Sequence, residues 1–132
     1  MMRTEQLTTR SRNEIIDITA QVARVVRESG VADGLCVVFV PHTTAAVTIN
    51  ENADEDVRHD VLKSLAELVP EHEPYYRHNE GNTDSHVKTA LVGPSVTVIV
   101  EGGRLVLGTW QGIQFCEFDG PRTRTVHIKV LG

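Results

Sequence analysis

The chain has 132 residues, 40% of them hydrophobic and 23% charged, with a formal net charge of −5. That is the composition of a single globular domain, spanning 1–132, with enough chain to bury a core. No apolar run approaches the ~20 residues of a membrane span, and the opening MMRTEQLTTR has no apolar signal region, so we expect a cytoplasmic protein with no membrane partner. The acidic balance argues against nucleic acid held through phosphate contacts. It leaves small anionic ligands open, because a local basic pocket suffices for them.

From Thr4 to Ile18 a loose alternation ends in Ile15, Ile16 and Ile18, the pattern of one or two edge strands entering a core. The period then changes. Val22, Val25, Val26 and Ser29 follow helical spacing, Thr19 is placed to cap, and Gly30 supplies a left-handed stop, which predicts a helix over Thr19 to Ser29. Leu35 to Val40 is a continuous apolar run between Asp33-Gly34 and Pro41, as expected of a central strand covered on both faces. Thr44 to Ile49 alternates threonine with aliphatics and predicts a half-buried strand. Cys36 and Cys116 lie far apart in apolar runs, which suits reduced core thiols rather than a disulfide framework.

Asn50 to Asp56 is an acidic entry to the strongest helical pattern, with Val57, Val61, Leu62, Leu65, Leu68 and Val69 as its apolar stripe. The stripe centres near Arg58, which predicts an inward arginine paired with a carboxylate, Glu51 first, or snorkelling at the helix end. After Pro70 comes Glu71 to Lys88, EHEPYYRHNEGNTDSHVK, polar and without period, holding three of the six histidines and both tyrosines. Long irregular segments in compact domains are functional loops or linkers, and the side chains here favour a functional loop. Ser85 to Leu91 predicts a short helix ended by Gly93-Pro94. Four strands then close the chain: Ser95 to Val100, Leu105 to Leu107 after the Glu101-Gly102-Gly103-Arg104 turn, Ile113 to Phe118, and Arg124 to Leu131. The fold class is α+β, a compact, largely antiparallel, β-sandwich-like core with two or three flanking helices.

Four polar corners fall at strand ends: His42-Thr43-Thr44, Asn50-Glu51-Asn52, Thr109-Trp110-Gln111, and Asp119 to Arg124. With the central loop they are candidates to converge at one rim. His42, His59 and His86, with Glu51 or Asp84, have the chemistry to hold a divalent metal such as zinc or magnesium, although no HExxH or CxxC spacing accompanies them. His72 and His127 read as structural. Ser85 beside His86 is not an activated pair by adjacency alone, and apolar settings quiet both thiols. Arg122 and Arg124, with Lys88 and Arg58, would make a small anion pocket or else remain solvated surface charges. Trp110 sits among glycines, as a pocket wall, an interface residue or a core filler.

These corners together resemble the YjbQ family, whose members are often labelled secondary thiamine-phosphate synthase. The resemblance rests on Ser95-Val96-Thr97-Val98-Ile99-Val100, Gly103 and Leu107-Gly108-Thr109-Trp110-Gln111-Gly112-Ile113. His42-Thr43-Thr44-Ala45, Asn50-Glu51-Asn52, Arg58-His59-Asp60, Glu80-Gly81-Asn82 and Ser85-His86-Val87-Lys88 accompany them. It implies a YjbQ-like α+β domain assembling as a homotrimer. It also implies, as a side activity, condensation of a pyrimidine pyrophosphate with a thiazole phosphate, releasing pyrophosphate. We therefore expect an enzyme acting on a small phosphorylated metabolite, with His42 and His86 as acid/base groups or metal ligands and Glu51 orienting one of them. Lys88, Arg122 and Arg124 would hold phosphate, and Arg58, Trp110 and Gln111 join them as substrate-binding candidates. The alternative is a non-catalytic metal- or phosphometabolite-binding module.

Overall fold

A computed structural model describes residues Met1–Gly132. The predicted first helix is α1 (Thr19–Ser29), ended by Gly30 at φ +70°, a backbone conformation that glycine adopts without steric cost. Its start differs from expectation. Ile18 is the N-cap and contributes no side-chain bond, while the Thr19 hydroxyl donates to Asp17 and accepts from the Ile113 amide.

Eight strands form two sheets in which every pairing is antiparallel. The larger sheet has the order β1 (Met2–Thr8), β8 (Thr123–Leu131), β3 (Gly34–Phe39), β5 (Ser95–Glu101) and β6 (Arg104–Leu105). The smaller has β7 (Gln111–Glu117) between β2 (Glu14–Asp17) and β4 (Ala45–Glu51). Between the sheets lies the main core. Val22, Val25 and Val26 of α1 meet Cys36, Val38, Val98, Val100, Val126, Ile128 and Val130 from one sheet and Val47, Ile113 and Phe115 from the other. Each such aliphatic side chain contributes about 1.5–3 kcal/mol on leaving water.

The smaller sheet is covered on its other face too. Ala46, Cys116 and Phe118 pack under Leu62 and Leu65 of α2 (Glu55–Leu68) and Val92 of α3 (Thr83–Val92). This makes β7 the strand buried on both faces, from Gly112 to Phe118. The expectation for β3 is corrected: it is central, but Leu35 and Phe39 stay 44% and 43% exposed because nothing in the chain covers the outer face of the larger sheet. The stripe on α2 is likewise only half-buried, and Leu68 is exposed. The polar segment after Pro70 narrows to residues 71–82, since α3 begins at Thr83.

Candidate functional site

The pairing of β4 with β7 sorts the polar corners. The ladder runs from Ala45 opposite Glu117 to Glu51 opposite Gln111, so its ends are six residue steps, about 20 Å, apart. The four corners therefore form two poles rather than one rim. His42, Thr44 and the Asp119–Arg124 turn sit at one end, and Glu51, Asn52, Trp110 and Gln111 at the other.

The first pole is held by buried charge. Glu117 stands in the most deeply buried strand, completely out of solvent, and accepts from Arg124 Nε at 2.8 Å, Thr9 Oγ1 at 2.8 Å and the Asp119 amide at 3.0 Å. Arg124 also donates to the second Glu117 oxygen and to Thr44 Oγ1. Burial alone would raise the Glu117 carboxyl, but these donors hold it below its ordinary value. Beside it, Asp84 of α3 receives a bidentate bond from Arg12, 3.0 Å to each oxygen, and Lys88 Nζ lies 3.3 Å away. Burial pushes this carboxyl up as well, and the Arg12 and Lys88 contacts outweigh it and keep it low. Lys88 also donates to Asn13 and lies 5.8 Å over the Phe118 ring.

The predicted phosphate-binding residues thus fall into different environments. Lys88 and Arg124 are internal: their side chains are 3% exposed and their donors are taken by carboxylates, which corrects the reading of them as ligand-facing cations. Arg122 is half exposed and donates to Asp119. His42 Nε2 accepts from the Thr125 amide at 2.9 Å, which leaves the ring proton on Nδ1. Burial, then the Arg124 charge, lowers the pKa of His42 and keeps it neutral.

His86 lies half-buried on α3, and its ring meets that of His78 edge-on at 5.3 Å and makes no hydrogen bond within the chain. No side chain caps α3, and Asn82 Oδ1 and Thr83 Oγ1 are buried there without partners. A recess of about 190 Å³ opens beside them, lined by Tyr76, His72, His78, Gly81, Thr83 and two glutamates.

At the second pole Asn52 is the hub. Its amide donates to the Trp110 carbonyl, and its side-chain and backbone oxygens accept from Arg58 and Gln114. Gly112 is required here, because a Cβ would meet the Asn52 side chain at 2.6 Å. The inward arginine is confirmed in direction only. Arg58 binds the Asn52 carbonyl at 2.9 Å rather than Glu51, and the only carboxylate within 4.0 Å of it is that of exposed Glu55. Glu51 Oε2 is buried without a partner. Trp110 is 64% exposed, so it does not fill the core, and Gln111 accepts from the Gly108 amide.

His59 stands on exposed α2, bonded to Asp60. No three His, Cys, Asp or Glu side chains gather around a common point, so one chain does not bring His42, His59 and His86 together. The residues that sequence reasoning passed over are Arg12, Thr9, Glu117 and Gln114. For the last two a signal existed: two polar side chains inside the apolar run Ile113–Phe118.

Two antiparallel sheets, three helices and two buried ionic groups, Glu117–Arg124 between β7 and β8 and Arg12–Asp84–Lys88 at α3, define a class of small α+β domain. The chain belongs to the YjbQ family: the family model described as UPF0047 protein YjbQ-like matches residues 3–132. UPF0047 protein YugU of Bacillus subtilis is 54% identical over the full length of both chains. UPF0047 protein MJ1081 of Methanocaldococcus jannaschii is 50% identical, covering 96% of this chain and 91% of that one. A crystal structure of an uncharacterized YjbQ/UPF0047 protein from Clostridium acetobutylicum superposes with a TM-score of 0.96 at 51% identity, covering 98% and 99% of the two chains. A YbjQ-like protein of unknown function from Sulfolobus solfataricus gives 0.96 at 33% identity, over 100% and 96%. No helix of this chain is long and apolar enough to cross a membrane.

Proposed function

We propose that this chain is a cytoplasmic enzyme acting on a small phosphorylated metabolite, with a thiamine-phosphate-synthase-like condensation among its activities. The observation that supports this reading is the open end of α3. No side chain caps this end, the partnerless Thr83 hydroxyl lines a 190 Å³ recess with His72, His78 and two glutamates, and the ring of His86 meets that of His78. Helix N-termini favour anions, and such donors suit a phosphate. In the condensation, the thiazole nitrogen bonds to the pyrimidine methylene carbon as the carbon–oxygen bond to pyrophosphate breaks. The charge that develops on the leaving oxygen is met by His86 as general acid, while Arg122, at the same pole, neutralises the departing group. His42 is neutral and committed to Thr125, so it orients the β8 turn and transfers no proton in this scheme. A divalent ion, if used, would arrive with the pyrophosphate or take ligands from a second copy, since one chain does not assemble three.

The same reading includes a homotrimer. Leu35 pairs across the bare sheet face with Ile99 and Leu131, all three exposed, and Phe39 stacks on His127 beside them. Contiguous apolar surface of this kind suits burial against another copy.

Isothermal titration with pyrophosphate and with thiamine phosphate, with and without magnesium, tests the enzyme reading. Saturable heat that disappears in His86→Ala is expected. No saturable heat under any of these conditions would overturn it.

A further inference from the structure

We propose a second ligand site, for an organic anion with an apolar body, in the groove between α1 and the β5–β6 hairpin. The groove has a volume of about 450 Å³ and a floor of Ala23, Leu105 and Leu107, with Arg27 and Arg104 on its walls. That volume lies in the range of pockets that enclose small organic molecules.

Charge selects the occupant. Seven of the chain's cationic side chains, Arg12, Arg24, Arg58, Lys63, Lys88, Arg122 and Arg124, lie within 4.0 Å of a carboxylate. Six of the 13 do not, Arg3, Arg10, Arg27, Arg77, Arg104 and Lys129; of these Arg27 and Arg104 are the two that share this groove, and neither makes a side-chain hydrogen bond. Arg104 has Glu101 directly across the hairpin and still forms no ion pair with it. None of the seven residues lining the groove is acidic, in a chain with a net charge of −5. Two exposed guanidiniums without partners in the chain, over an aliphatic floor, match a phosphate or carboxylate joined to an apolar ring or chain. The planar fork of arginine binds such oxygens in pairs. Gly103 closes one end, its amide donating to the Ala32 carbonyl at 3.0 Å, which ties the hairpin to the connection between α1 and β3. This groove shares no residue with the recess at α3.

The test is a nuclear magnetic resonance titration of the full chain with 1-naphthyl phosphate. We expect saturable shifts at the Ala23, Gly103, Leu105 and Leu107 amides. Arg27→Gln and Arg104→Gln should each weaken binding about tenfold, the scale of one charge-assisted hydrogen bond, without changing pyrophosphate binding at α3. Neutral 1-naphthalenemethanol should bind far more weakly, and 1-naphthoate comparably, which shows that the anion is read rather than phosphate alone. Both arginines are exposed, so unchanged melting temperatures confirm that the variants fold. The proposal is overturned if millimolar ligand shifts none of these amides, if shifts fall only at α3 or the bare sheet face, or if both variants bind as the parent does.

Discussion

Arg12 grips both carboxylate oxygens of Asp84 at 3.0 Å, joining the β1–β2 connection to the first turn of α3 across 72 residues of sequence. Arg12→Leu should leave Asp84 with Lys88 alone and cost roughly 1.5–3 kcal/mol, the range for hydrogen bonds to charged groups. A denaturant midpoint reads the loss, and hydrogen exchange should quicken at the start of α3. An unmoved midpoint would show that the clamp stabilises nothing.

Glu117 and Arg124 allow a sharper experiment. Arg124→Met strands a carboxylate in the core and should cost roughly 3–5 kcal/mol, whereas adding Glu117→Leu should restore most of it. Two single variants and the double variant, unfolded in urea, separate the pair's own contribution from the cost of isolating one charge. If the double variant is as unstable as Arg124→Met, the bonds that Glu117 keeps to Thr9 and the Asp119 amide dominate instead.

Much of the architecture was legible in sequence because it follows from period. The spacing of Val22, Val25 and Val26 placed α1, and the strands from Ser95 onward lie within a few residues of their expected bounds. Coverage was not legible. A run such as Leu35–Val40 reads the same whether its second face meets a helix, another copy or water. The buried group at Glu117 was hidden for a different reason, since Thr9 meets Glu117 from 108 residues away and no local pattern encodes that meeting. The convergence of corners failed because strand direction, not corner chemistry, decides which ends meet.

Stability should fall in two stages as the solution is acidified. The pKa of His42 is lowered in the fold from an ordinary 6.5, so the unfolded chain binds more protons just below that pH and stability declines there. Asp84 and Glu117 are depressed, so their contribution is present above the ordinary carboxylate values of 3.8 and 4.5 and is lost as pH falls through their folded values. Melting temperature followed against pH checks this. His42→Gln should remove the first stage and keep the second.

The thiols should be inert in the native state. Burial pushes Cys36 up to about 11 and Cys116 up to about 12, leaving almost no thiolate at neutral pH. A colorimetric disulfide reagent should therefore titrate no cysteine before denaturant is added and two afterwards. Prompt reaction of either thiol would mean that the core opens far more often than its packing suggests.

Leu35→Glu tests the bare sheet face. The side chain is 44% exposed, so the isolated fold should lose little, while any assembly through that face should dissociate. Light scattering coupled to size exclusion should then report a mass near 14.6 kDa for the variant and about three times that for the parent. A parent already at one-subunit mass would remove the trimer. Trp110→Ala, measured alongside, shows whether the exposed corner takes part as well.

The pairing of β1 with β8 has a kinetic consequence. Met2 lies opposite Lys129 and Thr8 opposite Thr123, so the first strand finds its partner only when nearly the whole sequence is available. Closing so large a loop is entropically costly, and folds dominated by such distant pairings are slow. The buried group beneath that ladder, where Thr9 reaches Glu117, should be among the last contacts to form. Until then the carboxylate of Glu117 remains hydrated, so its desolvation coincides with the final docking of the two ends of the chain.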